Sequence, residues 1–336
     1  SGTLTNQGAL SLLDVAINTN FDNQGTLTVV DSSVSSITGA LTNTGTINIQ
    51  PGGNPATLTV ANGFTNNGII DITRIGSNVA GGLIVSTGTL TNAPGASLIG
   101  DGILTFYDGV LTNQGTLDID SFFEVRNTGS TFDASTGTLD IASGATLLVT
   151  DGTTSLGSGT TFTGTGTLKL DGATHALNLV SDLTLLSGGV TLQLSDLSET
   201  VTVQTGSSAK LINQGSLILP DDVLNVDFDN QGTLLIPNNS ESTINGTLTN
   251  DSAGDTIQVT GGGNVTTLTV ANGFTNGGLI EVSGGLGVYG SLVVSAGTLV
   301  NASGATIRST ADFVTLDTPL TNQGTLDIDG FTQVTN

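Results

Sequence analysis

The sequence predicts an all-β chain wound as a parallel β-solenoid, a stack of about 15 rungs of roughly 17–26 residues each. Three observations carry this. A short motif of the form apolar-x-Asn-x-Gly-x-apolar returns from end to end. Its copies are spaced near twenty-one residues, one coil of a β-helix and too short for helical-pair repeats. The residues after each Gly alternate apolar and polar, as in GTLTV, GTINI and GTLDID, which is the pattern of half-buried strands.

The motif appears as LTNQGAL at Leu4, FDNQGTL at Phe21, LTNTGTINI at Leu41, FTNNGIIDI at Phe64 and LTNQGTLDI at Leu111. It returns as LINQGSLIL at Leu211, FDNQGTL at Phe228, FTNGGLI at Phe274 and LTNQGTLDI at Leu320, with lengthened copies at Leu90, Leu248 and Leu299. In FTGTGTLKL, from Phe162, Gly164 is expected to stand where Asn usually does. The intervals between Asn6, Asn23, Asn43, Asn66, Asn92 and Asn113 are 17, 20, 23, 26 and 21 residues. Those between Asn213, Asn230, Asn250, Asn276, Asn301 and Asn322 are 17, 20, 26, 25 and 21. These twelve Asn residues are expected at sharp bends. There positive φ is expected to favour Asn and Gly, and stacked amides can hydrogen-bond along the axis as a ladder.

A longer period lies over the rungs. Phe21 and Phe228 open identical runs 207 residues apart, and Leu111 and Leu320 open others 209 apart. This divides the chain into module A (1–127), a divergent spacer B (128–206) and a second copy of A (207–336), expected to form one continuous rod. Neither the first nor the last rung carries a recognisable polar cap, and Asn336 matches Asn127, where the first copy runs on. The expected partner is therefore another copy, or an adjacent repeat, stacked end to end.

Composition narrows the function. The chain has 336 residues, with 28 acidic against 5 basic side chains and a net charge of −23. The cations Arg74, Arg126, Lys169, Lys210 and Arg308 are scattered, so no basic surface exists to displace phosphate counterions; nucleic acid is not an expected partner. No apolar run reaches the roughly eighteen residues that cross a bilayer. There is no Cys, hence no disulfide or thiolate metal site. Aromatics are only 4 %, so the core is expected to be thin and filled by Leu, Ile and Val.

The LTNQGTLDI-type repeats resemble those of large bacterial surface proteins, the filamentous-haemagglutinin- and autotransporter-type adhesins. The resemblance spans essentially the whole chain. It implies a right-handed coil, a cell-surface or extracellular location, and a role in adhesion or filament building, with cell-surface glycans as a further partner.

Parallel β-helices also carry polysaccharide-cleaving enzymes, whose chemistry needs carboxylates converging on one groove. The candidates are Asp71, Asp140, and Asp118 and Asp120 with their counterparts Asp327 and Asp329. The last four alternate with apolar residues and share an outer face. They are read as a solvated strand face and as weak calcium candidates; no other cofactor is expected. Asp221 and Asp222 follow Pro220 and are read as a turn. The lone His175, in GATHALNLV, is expected at a strand or turn surface. No GxSxG, P-loop or HExxH motif occurs. Outward Thr pairs such as Thr26 and Thr28 raise ice binding, but Asn48, Asp71 and Asp118 interrupt the ranks. The expected function is a non-catalytic structural solenoid: a fibre, sheath or adhesin stalk. A carbohydrate-active enzyme and a glycan-binding adhesin tip are the alternatives.

Overall fold

A computed structural model describes residues 2–73, 79–102, 104–126, 130–173, 175–195, 202–206, 208–284, 289–310, 314–329 and 332–335. Arg74, Asn127 and Asn336 lie outside them. Among the described residues every regular element is a strand, all recorded pairings are parallel, and the strands form a β-solenoid of about 13 turns. Among the described residues no helix is long and apolar enough to cross a membrane. The chain divides into two compact units, Ser1–Lys169 and Leu170–Asn336.

In the first unit each coil contributes a strand to three columns. The first column holds Thr3–Asn6, Asn20–Asn23, Leu41–Asn43, Phe64–Asn66, the ends of the long strands Gly81–Asn92 and Thr105–Asn113, then Thr131–Asp133 and Thr153–Leu156. The second is a sheet of eight strands running from Ala9–Leu12 to Thr161–Gly164. The third runs from Ala16–Ile17 through Val34–Ile37 and Ala56–Val60 to Thr146–Thr150.

Register places like on like. Leu10, Leu27, Ile47, Ile70, Leu98, Leu117 and Leu139 are successive neighbours in the second column, and from Leu27 onward they are buried. A one-residue slip would turn this whole row to water, so the apolar alternation itself fixes the register. Where a column carries Gly, a neighbour fills the space. A Cβ on Gly100 would meet the Phe123 ring at 2.3 Å, and one on Gly82 would meet the Phe106 ring. Phe106 and Phe123 thus sit over missing side chains.

The second unit repeats the scheme. Its first column runs from Leu183–Leu185 through Lys210–Asn213 and Asp227–Asn230 to Leu320–Asn322. Its second sets Leu192, Leu217, Leu234, Ile257, Ile280 and Ile307 in one buried row.

Two expectations are corrected here. Phe162–Gly164 does not continue the first column: Phe162 pairs with Leu139 and Gly164 with Ile141, in the second column. Thr153–Leu156 already occupies the first, so the motif has slipped by one strand within this unit. His175 is not at the surface. It is 1 % exposed, its ring Nδ1 lies 3.1 Å from the Asp171 carbonyl oxygen, and its backbone N–H donates to Gly172 O.

Candidate functional site

The most built feature of each unit is the column of Asn side chains closing the first-column strands. In the first unit Asn6 Nδ2 donates to Asn23 Oδ1 at 2.8 Å, Asn23 to Asn43 at 2.7 Å, Asn43 to Asn66 at 2.6 Å, Asn66 to Asn92 at 2.9 Å and Asn92 to Asn113 at 2.8 Å. The second unit repeats this from Asn213 through Asn230, Asn250, Asn276 and Asn301 to Asn322, at 2.7–2.9 Å. Most of these amides also donate to a backbone carbonyl of the next rung, as Asn23 does to Thr46 O at 2.9 Å. Asn23 to Asn113 and Asn213 to Asn301 are buried. A buried primary amide is tolerated only when its donors and acceptor are met, and the ladder meets them from neighbouring rungs. In the first unit it stops at Asn113, because the next rung carries Phe132-Asp133-Ala134, with Ala134 buried in its place.

The reason for the accompanying Gly differs from the expected one. None of the ladder Asn residues has positive φ, and neither do Gly25, Gly45, Gly68 and Gly232. What these glycines permit is close approach. A Cβ on Gly25 would lie 2.1 Å from Gly8 O, one on Gly45 2.0 Å from Gly25 O, and one on Gly68 2.0 Å from Gly45 O. Positive φ is found instead in some longer turns and at glycines within strands, Gly88, Gly109 and Gly164. Gly95 (φ +83°) and Gly304 (φ +89°) follow Pro94 and Ser303 in turns closed by Ala96 N–H to Ala93 O and Ala305 N–H to Ala302 O.

Of the acidic candidates, Asp118 and Asp140 are register neighbours on one outward row, with Asp71 beyond Ile99. Burial, then the nearby Asp120 and Asp140 charges, raise the Asp118 carboxyl above its ordinary value. Asp327 is held by Arg308, whose Nε lies 3.0 Å from Oδ2, and Asp329 pairs in register with Thr310. Among the described residues no group of three or more His, Cys, Asp or Glu side chains is placed to hold a metal ion.

Other acids staple rungs together. Asp31 accepts from Gly52 N–H at 3.0 Å and Asn54 N–H at 2.7 Å, and Asp227 from Thr247 N–H at 2.9 Å; these bonds lower both carboxyls. Asp255, buried in a turn, is raised by desolvation although Ser252 N–H donates to it at 2.8 Å. The signs give an expected pH profile. The raised Asp118 and Asp255 cost stability while ionised, a cost that disappears as pH falls through their folded values. The lowered Asp31 and Asp227 contribute stability above 3.8 that disappears as pH falls below it, through theirs. Relief of the −23 net charge acts in the same direction as the first pair. Thermal midpoints should therefore rise as pH falls from neutrality toward 3.8 and fall below it; a steady decline from neutrality would contradict this.

Burial also reveals a polar cluster that the linear pattern does not show. Asp222, Ser195, Ser240 and Ser242 are all buried. Ser242 Oγ accepts from Asp222 N–H at 3.3 Å and donates to Leu219 O at 2.7 Å, while Ser195 Oγ donates to Pro220 O at 2.6 Å. Asp222 lies 207 residues after Val15, so comparing the two copies position by position is the one sequence signal that marks it. The chain matches no protein-family model, no curated protein and no solved structure.

Proposed function

We propose that this chain is a structural β-solenoid of a bacterial cell surface, serving as a segment of a fibre, sheath or adhesin stalk and working without catalysis. The observation that carries the reading is the buried amide ladder, repeated in both units. The most repeated residues of the sequence are committed to holding one rung on the next, so the sequence invests in stacking. Outward rows of Thr, Ser, Asn and Asp surround this core, a hydrated skin suited to an exposed, extended element. Its proposed partners are further copies or adjacent repeats. Calcium at the Asp118 row belongs to the same proposal, as a weak surface association.

Electron microscopy and fibre diffraction of the native material test the reading. Rods or filaments with a reflection near 4.8 Å along the axis are expected, together with antibody labelling of intact cells. Compact, monodisperse particles would overturn the fibre role. Turnover of any neutral or acidic polysaccharide, with or without calcium, would favour the enzyme instead.

A further inference from the structure

Unequal turn lengths cut a notch into the second unit. Between its first and second columns, Asn213 and Asn230 are followed by two-residue turns, Gln214-Gly215 and Gln231-Gly232. The rung before them turns through Leu186–Val190 and the rung after through Asp251–Asp255. Those longer turns fold back on themselves, Gly189 N–H donating to Leu186 O and Asp255 N–H to Ser252 O, both at 3.1 Å. Two recessed rungs therefore lie between two projecting lips, leaving an open notch of about 430 Å³. This is within the size range of small-ligand sites.

The lining has one chemical character. All eleven residues are Gly, Ser, Thr or Gln. The floor is two stacked amides: Gln214 Nε2 donates to Gln231 Oε1 at 2.9 Å, and Gln231 Nε2 to Asp229 Oδ2 at 2.7 Å, so both are oriented before any ligand arrives. The hydroxyls of Ser187, Thr191, Ser216 and Thr233 stand around them. Gly232 cannot carry a side chain, because a Cβ would lie 2.5 Å from Gly215 O, so the two recessed rungs stack closely beneath the floor.

We propose that this notch binds a neutral, hydroxyl-rich ligand, a short stretch of an uncharged polysaccharide. An anion would meet no cation in the lining, on a chain of net charge −23. A metal ion would meet no carboxylate among the lining residues, the nearby Asp229 Oδ2 being engaged by Gln231 Nε2, and an apolar ligand would meet no aliphatic or aromatic wall among them. Donors and acceptors intermixed at a rung spacing of roughly 4.8 Å suit successive sugar rings, each offering several hydroxyls that both donate and accept. The site does not depend on the stalk reading: a chain that forms rods yet binds no glycan would overturn this proposal alone.

Ligand-observed NMR and calorimetry on the full chain test it, with cello-, malto- and laminari-oligosaccharides as probes and oligogalacturonate as the charged comparison. A Cβ on Gly254 would meet no atom within 4 Å, so Gly254→Trp fills the notch without disturbing the ladder; Gly263→Trp is equally unhindered and outside the lining. At least one neutral probe should bind wild type and Gly263→Trp alike and lose roughly tenfold or more in affinity, about 1.4 kcal/mol, with Gly254→Trp. No binding by any neutral probe, preference for the charged one, or equal affinity of wild type and Gly254→Trp would overturn the assignment.

Discussion

Replacing Asn43 by Ala should destabilise the first unit by about 3–5 kcal/mol, while Gln24→Ala on the surface should stay within about 0.5 kcal/mol. Asn43 receives a bond from Asn23 at 2.7 Å, gives one to Asn66 at 2.6 Å, and reaches Ile69 O at 3.3 Å. Truncation leaves an amide donor on one side and an amide acceptor on the other without their partner in a buried column, and opens a space the size of the lost group. Each unmet buried group costs about 1–3 kcal/mol. Gln24 makes similar bonds, to Gln7 at 3.1 Å and Asp22 at 2.6 Å, but in water, which replaces them.

Asn43→Asp separates hydrogen bonding from size. The carboxylate keeps the shape yet cannot donate to Asn66 Oδ1, and it buries a charge. Its folded pKa is therefore raised, so the variant should be least stable at neutral pH and recover as pH falls, the reverse of an ordinary paired carboxylate. Denaturant unfolding combined with amide exchange over residues 41–70 is the measurement, because repeat arrays can open in parts rather than as one transition. A loss under about 1 kcal/mol in Asn43→Ala would mean that the ladder is incidental to stacking.

The ladder was legible because a coil returns each residue to its own neighbourhood, so recurrence at intervals of 17–26 residues is a statement about contact. Inward and outward faces were legible for the same reason: a period of two leaves only one face for Leu27, Ile47 and Ile70. What the string did not convey was distance between backbones. Gly beside Asn looks like a positive-φ turn residue, and only the 2.0 Å approach at Gly45 shows that it is a spacer of zero size. The frame slip at Phe162 escaped for a related reason. LTN and TLD strands share one alternation, so the pattern names the element but not its column. His175 and Asp222 are buried at corners, where burial depends on how the next rung turns, and that is not written locally. The Gln214–Gln231 notch likewise arises from a difference in length between turns far apart in the chain.

The largest single effect should come from Gly45→Ala, at more than about 4 kcal/mol, against Gly263→Ala, which should be neutral or stabilising by up to about 1 kcal/mol. Both substitutions remove the same backbone freedom from the unfolded chain. They differ in what the new methyl meets. The Gly45 Cβ would sit 2.0 Å from Gly25 O and 2.8 Å from the Gln24 carbonyl carbon, whereas the Gly263 Cβ would meet nothing within 4 Å. Because the obstacle is backbone, no rotamer relieves it. The rungs must part, and that strains the Thr46 N–H to Gly25 O bond of 2.8 Å together with the Asn23–Asn43 bond of 2.7 Å. Loss of exchange protection should accordingly spread from Gly45 into the rungs on both sides, since each rung is the template on which the next is laid. If Gly45→Ala came within about 1 kcal/mol of Gly263→Ala, rung contact at the Gly stack would have to be soft. The close approach could not then be why Gly recurs beside every tight-turn Asn.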